Sequence, residues 1–179
     1  IMFIKKNLES QKFPLTHKVS MSDFEMMSSI ESFREYMLKR HTVRDFSKRS
    51  VDFAIIQKAT QIAGSAPSGA NHQPWHFVAI SNKDIKKTIR EAAEIEENKF
   101  YSGGASDEWI KALEPIGTNA NKPHLEIAPW LIIIFAERFG TFDDGSKYKN
   151  YYVPESVGIA TGFLIAALHK AGLSVLTHT

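Results

Sequence analysis

Residues 66–75 read Ala66-Pro67-Ser68-Gly69-Ala70-Asn71-His72-Gln73-Pro74-Trp75. The stretch lies between an amphipathic helical pattern and an apolar strand pattern, and it is itself too small and too polar to be core. Pro67 and Pro74 fix φ and each removes a backbone donor, while Gly69 permits a close approach of the main chain to a ligand. Ser68, Asn71 and Gln73 add short polar side chains. Two roles suit such a loop: a bed of backbone N–H groups under a planar or phosphorylated ligand, or a tight Pro/Gly turn that binds nothing. The stretch alone leaves both open.

The flanks set the fold class. On the N-terminal side, Ile55, Ile56, Ala59, Ile62 and Ala63 recur at three/four spacing, which predicts a helix over Ser50–Ala63 with Ser50 or Asp52 as cap and Gly64 at its end. On the C-terminal side, Trp75–Ser81 is apolar almost throughout and reads as a strand covered on both faces. Asp84–Asn98 reads as a charged helix with Ile85, Ile89, Ala92 and Ala93 on its buried stripe. Pro129–Glu137 has the unbroken apolar run of a central strand, and Leu173–Thr179 reads as another strand. In Pro154–Lys170, Val157, Ile159, Ala160, Phe163, Leu164, Ala166, Ala167 and Leu168 cover nearly all sides, so this helix is expected to be buried all round, in a core or across a dimer interface. Further out, Met21–Lys39 reads as one or two helices with a cap signal at Ser22-Asp23, Ile1–Ser20 as an arm, and Gly140–Asn150 as a polar loop. The alternation predicts one α+β domain with a small central mixed sheet flanked by helices.

Composition narrows the function. The chain has 179 residues, 43% hydrophobic and 23% charged, with a net charge of +2 and no cysteine. Disulfides, thiolate metal sites and cysteine nucleophiles are excluded. Lys and Arg are dispersed, which argues against nucleic acid, and no run approaches the roughly 20 apolar residues of a membrane span. The N-terminus lacks the apolar region and cleavage site of a signal peptide. These features predict a soluble, cytoplasmic protein. Because the chain stops within a strand pattern, a C-terminal segment is expected beyond Thr179. No metal site is expected: His72 and His76 are four apart, but Pro74 lies between them and a strand begins at Trp75. His17, His124 and His169 read as surface or satisfied histidines.

Two further stretches bear on chemistry. Arg40-His41-Thr42-Val43-Arg44 follows directly after a helix, and Arg40, His41, Thr42 and Arg44 can all donate to a phosphate, or form a solvated basic turn. Residues 98–123 break the periodic pattern: Tyr101-Ser102-Gly103-Gly104 is hinge-like, a short helix follows around Trp109, Ile110 and Leu113, and Pro115, Gly117 and Pro123 punctuate its exit. This is the predicted lid.

Together these residues resemble the flavin-dependent nitroreductase superfamily, and within it the iodotyrosine deiodinase branch. The resemblance runs in one order from about Met37 to Thr179. It is carried by R-H-T-V-R at Arg40–Arg44 and A-P-S-G-A-N-H-Q-P-W at Ala66–Trp75, then E-E-N-K-F-Y, T-N-A-N-K and I-A-P-W-L-I-I-I-F, and finally Y-Y-V-P-E-S-V-G-I-A-T-G-F-L running on into T-H-T. The lid motifs belong to the branch; ordinary nitroreductases lack them.

The resemblance implies a nitroreductase-like fold and a homodimer with FMN at its interface, lined by the long C-terminal helix. It implies that Arg40, His41, Thr42 and Arg44 hold the FMN phosphate and ring. Pro67, Ser68 and Gly69 would run along the isoalloxazine, and Thr177, His178 and Thr179 would complete the site. Thr177 is the expected donor to flavin N5 and the catalytic residue, favouring one-electron steps. Glu97, Tyr101 and Lys122 would grip the zwitterion of an amino acid, and the Ala70 N–H would bind a phenolate. The implied activity is FMN-dependent reductive dehalogenation of a halotyrosine, releasing halide and tyrosine, with NAD(P)H as electron source. The alternative is a general NAD(P)H-dependent nitroreductase or quinone reductase. Two departures stand out: His41 and Thr42 where many members have Arg or Ser, and His178 between two threonines. The family's last FMN-contacting Arg and a swapped C-terminal arm fall beyond Thr179.

Overall fold

The computed structural model describes Pro14 and residues 18–178, so the expected N-terminal arm lies almost wholly outside the described residues, as do His17 and Thr179. The chain divides into two compact units, Ile1–Arg40 with Phe139–Lys149, and His41–Arg138 with Asn150–Thr179.

In the first unit, α1 (Asp23–Met37) begins at a capping box: the Ser22 hydroxyl accepts from the Glu25 N–H, and the Glu25 carboxylate accepts from the Ser22 N–H. That backbone hydrogen bond holds the Glu25 carboxyl below its ordinary pKa. None of α1 is buried, and Phe24, Met27, Ile30 and Phe33 along it are exposed. The segment expected to be a polar loop is instead a hairpin, β3 (Phe139–Thr141) against β4 (Lys147–Lys149), with Gly140 opposite Tyr148. Its turn is made by Asp144, whose carboxylate accepts from both the N–H and the hydroxyl of Ser146, and by Gly145 at φ 81°.

The second unit is built on one pair of strands. β1 (Trp75–Ile80) runs antiparallel to β2 (Leu131–Ala136), pairing Phe77 with Ile134 and Ala79 with Ile132. Opposed residues share a face, and this face carries α2 (Phe53–Ala63) and α6 (Val153–Lys170). Ile56, Ala59 and Ala63 of α2 meet Leu164 and Leu168 of α6 over those four strand residues, with Trp130 and Val175 at the edge. Burying each such leucine contributes about 1.5–3 kcal/mol. Asp52 caps α2 through the Ala54 N–H at 2.7 Å. Gly64 ends that helix in the right-handed region at φ −66°, so its flexibility is not used there.

Three expectations need correction. Only one stripe of α6 is buried, Val153, Ser156, Ala160, Leu164 and Leu168, while Ile159 and Phe163 stand exposed. The apolar residues that seemed to cover every side therefore include a second face, open in the single chain. The described part of the expected Leu173–Thr179 strand, residues 173–178, is not a strand: it makes one parallel bridge, Val175 to Thr42. That bridge stands apart from the β1–β2 pair, so the sheets among the described residues are two-stranded and antiparallel rather than mixed, and β2 pairs only with β1 and is not central.

In α3 (Lys83–Lys99), Ile85 is half-exposed and the buried residue is Lys86. Its ammonium donates to the carbonyls of Glu126 at 3.0 Å and Ala128 at 2.6 Å. It thereby satisfies carbonyls at the end of the short helix α5 (His124–Ile127). Burial lowers the Lys86 pKa. A hydrophobic-stripe reading cannot see this residue, because the lysine stem packs while its head finds carbonyls.

Candidate active site

The 66–75 loop is strained and tied down. Residues 69–71 form one 3₁₀ turn, and Ala70, Asn71 and Gln73 have φ of 51°, 54° and 50°. Left-handed conformations at non-glycine residues cost about 1–3 kcal/mol each and persist only where the surroundings impose them. Here the ties are explicit. The Ser68 hydroxyl accepts from the Gln73 N–H at 2.9 Å, and the Gln73 side-chain amide donates to the Gly64 carbonyl at 3.3 Å. The Gly69 N–H donates to Ser156 on α6 at 3.2 Å, and Pro74 is fully buried. Asn150, itself buried, joins His72 Nδ1 at 2.9 Å to the Glu137 carbonyl at 2.7 Å. A carbonyl only accepts, so the Asn150 NH2 faces Glu137 and its oxygen faces the ring. His72 therefore carries its proton on Nδ1.

Packing within the chain by itself requires Gly69. A Cβ there would lie 2.6 Å from the Tyr151 carbonyl oxygen, so the glycine lets the loop pack against the chain entering α6. Asn150 and Ser156, which hold the loop, were not legible in the sequence; neither sits in a local pattern that singles it out.

The three residues expected to grip an amino acid, Glu97, Tyr101 and Lys122, are brought together. Lys122 Nζ lies 3.0 Å from Glu97 Oε2 and 5.9 Å from the centre of the Tyr101 ring. Only 8% of the Lys122 side chain and 19% of the Glu97 side chain are exposed, so this is a partly desolvated pair. Lys122 also donates from Nζ to the Asn119 carbonyl at 2.7 Å and from its N–H to Glu94 at 2.8 Å. Glu94 is a buttress: its other oxygen takes Arg90 at 2.6 Å. Tyr101 lies 2.9 Å, hydroxyl to hydroxyl, from Thr118. Glu97 and Tyr101 do not share an α-helical face, because α3 ends at Lys99 and Tyr101 falls in a π turn, Phe100–Gly104. The trio meets through Lys122 rather than through helical spacing. Beyond it, Gly103 at φ 115° leads into α4 (Asp107–Leu113), whose Trp109 packs edge-on against Phe100 at 5.0 Å.

The remaining candidates divide. The Thr42–Val175 bridge sets the 41–44 turn beside the segment that leads to Thr177. Arg44 is half-buried, while His41, Thr42 and Thr177 are exposed. Arg40, half-buried, ends the first unit. Pro67 and Ala70 are exposed, and Ser68 and Gly69 half-buried. His178 is placed against the clamp, with Nε2 3.3 Å from Glu97 Oε1 and its ring 5.8 Å from that of His124. Among the described residues no group of three or more His, Asp or Glu is placed to hold a metal ion. Nor is any helix long and apolar enough to cross a membrane.

Two helices over an antiparallel strand pair, with a strained Pro/Gly loop entering the first strand, form a nitroreductase-like α+β fold. An FMN-dependent nitroreductase of Clostridium difficile R20291 shares that fold at a TM-score of 0.54 and 22% identity, over 79% of this chain and 57% of that one. The chain belongs to the nitroreductase family, whose model matches residues 37–177. Within that family it is similar to iodotyrosine deiodinases. It is 50% identical over 155 residues to the one from Haliscomenobacter hydrossis, covering 87% of this chain and 70% of that protein. It is 37% identical over 175 residues to human iodotyrosine deiodinase 1, covering 98% of this chain and 60% of the human protein. A crystal structure of oxidized iodotyrosine deiodinase bound to FMN and 3-iodo-L-tyrosine superposes with a TM-score of 0.73 at 31% identity, over 82% of this chain and 73% of that one.

Proposed function

We propose that this chain is an FMN-dependent reductive dehalogenase acting on a halogenated tyrosine. The observation that carries the reading is the Glu97–Lys122 pair at 3.0 Å beside Tyr101. A free amino acid brings one ammonium and one carboxylate, and this cluster offers the complement of each. The ammonium goes to Glu97; the carboxylate goes to Lys122 and the Tyr101 hydroxyl, as charge-assisted hydrogen bonds. Substrate then replaces an internal ion pair with two external ones, so little uncompensated charge is buried at any stage. The segment 98–123 acts as the lid that substrate draws closed, excluding water from the site.

The residues present suit FMN. The Thr42–Val175 bridge gathers a basic turn and a hydroxyl-bearing segment in one place, matching a phosphate and a polar ring edge. The loop at Ala70 turns its backbone through left-handed conformations, of the kind that expose successive N–H groups to an anion or a polar ring edge. His41, Thr42 and Arg44 would hold the phosphate and ring; Arg40, adjoining His41 in the chain, is carried over by resemblance alone. Pro67, Ser68 and Gly69 would lie along the ring. Thr177 would donate to its N5, with Thr179 completing the edge. FMN, when bound, supplies the two electrons, which we propose pass one at a time and originate from NAD(P)H. The halophenol takes up those two electrons and one proton, and halide leaves. The Ala70 N–H holds the phenolate oxygen throughout. The exposed Ile159 and Phe163 on α6 suit a homodimer with FMN at its interface, and we treat the chain as one domain of this family.

The test is iodide release from 3-iodotyrosine by the dithionite-reduced holoenzyme. Release at a rate far above that of free reduced FMN is expected. Normal reduction of nitroaromatics with no iodide release would instead make the protein a general nitroreductase.

A further inference from the structure

An amino-acid clamp needs one acid and one base, yet the Glu97 carboxylate is approached by two nitrogen groups, one on each oxygen. Lys122 Nζ takes Oε2 at 3.0 Å, and His178 Nε2 stands 3.3 Å from Oε1. Lys122 has a second acceptor in the Asn119 carbonyl. His178 therefore occupies the oxygen that the lysine leaves open, which is the one an incoming ammonium would use.

The charges facing this point come from four places. Glu97 lies on α3, Lys122 on the turn before α5, His124 at the start of α5, and Arg44 on the basic turn. Tyr101 adds a hydroxyl paired with Thr118. His124 stays neutral more readily than an ordinary histidine: burial lowers its pKa first, and His178, Lys122 and Arg44 lower it further against the pull of Glu97. Its buried Nε2 has no hydrogen-bond partner among the described residues. His124 is therefore the less ready of the two rings to add a positive charge beside Lys122, and it makes no contact with Glu97 as short as that of His178. A charged His178 adds a cation beside Lys122 and Arg44, where the substrate's own ammonium must arrive.

Resting on the halotyrosine reading above, we propose that His178 is a specificity-determining residue that competes with the substrate's ammonium for Glu97. The clamp then accepts an α-amino acid best when His178 is uncharged. Neutral imidazole gives up the carboxylate oxygen at little electrostatic cost; imidazolium holds it and repels the newcomer.

The experiment is calorimetric binding to the FMN-loaded protein at about pH 5.5 and about pH 7.5, across the range in which histidine changes charge. Two ligands are compared, 3-iodotyrosine and the phenylpropanoate that lacks only its amino group. Ionisation of the phenol is common to both and cancels in the ratio of their affinities. The wild-type preference for the amino ligand should rise about tenfold with pH, one unit of coupling. His178→Gln should hold the high preference at both pH values, and His178→Lys the low one. A preference that rises equally in His178→Gln, or that does not move with pH in the wild type, overturns the assignment. A wild type with no preference for the amino ligand at either pH overturns the halotyrosine reading itself, which is a distinct result.

Discussion

The 66–75 loop and the Glu97–Lys122 clamp solve recognition in opposite ways. The loop works with backbone: three non-glycine residues sit at positive φ, and neutral hydrogen bonds to Ser68, Ser156 and Asn150 hold it. The clamp works with side-chain charge: an acid between a lysine and a histidine, braced by Glu94. What the loop offers a ligand depends on geometry imposed from outside it. What the clamp offers depends on the identity of three or four residues. Damage to the loop should therefore cost shape and every ligand at once, and damage to the clamp should cost one ligand selectively.

The sharpest break is Gly69→Ala. The added methyl would meet the Tyr151 carbonyl at 2.6 Å, and backbone cannot swing aside as a side chain does. Overpacking of this kind costs about 1–3 kcal/mol. Flavin content of the purified variant and halotyrosine binding should fall together; a variant that keeps full flavin would show the loop to be less constrained than described.

Glu97→Gln probes the other side. It removes the charged acceptor, worth about 1.5–3 kcal/mol, so halotyrosine affinity should fall roughly 10- to 100-fold while flavin absorbance stays near wild type. Equal losses of both ligands would make Glu97 structural and erase the contrast.

Asn150→Ala leaves the His72 Nδ1–H and the Glu137 carbonyl without their bridge. Both groups are only partly buried, so each lost hydrogen bond costs about 0.5–1.5 kcal/mol. The melting temperature should drop, and flavin binding should weaken more than halotyrosine binding to the protein that remains loaded.

Acid titration sharpens the contrast from the clamp side. The folded-state pKa of His124 lies below its ordinary 6.5, chiefly through burial. The unfolded chain then binds the proton more readily, so stability is full above pH 6.5 and declines as pH falls through that value toward the folded pKa. Melting curves should show this fall, and His124→Gln should reduce it.

The smallest effect serves as a control. Asp52→Ala removes the α2 cap, at the end of that helix away from the 66–75 loop, and should cost about 1 kcal/mol of stability. Neither ligand's affinity should change in the folded protein.

Patterning carried the main elements of the larger unit because they follow from local rules. Three/four spacing located α2, a long segment apolar on nearly all sides located α6, and continuous apolar runs located β1 and β2. It failed where a residue's partner lies far along the chain. Lys86 is buried because carbonyls 40 and 42 residues away receive it. The 139–149 hairpin hid behind polar composition, since strands this short have no core face to alternate. The Leu173–Thr179 segment read as a strand because apolar β-branched residues favour one, but a strand exists only where a partner pairs with it.

The sequence by itself determined that a Pro/Gly loop joins a helix to a strand, and that an acid, a phenol and a lysine recur at family spacing. Local propensity and residue chemistry suffice for that. Only the tertiary structure decided that Gly69 makes room for the Tyr151 carbonyl, that Asn150 sets the tautomer of His72, and that His178 reaches Glu97. Those three facts join residues 82, 78 and 81 positions apart. No period or motif spans such a separation; only the packed chain brings the partners within hydrogen-bonding range.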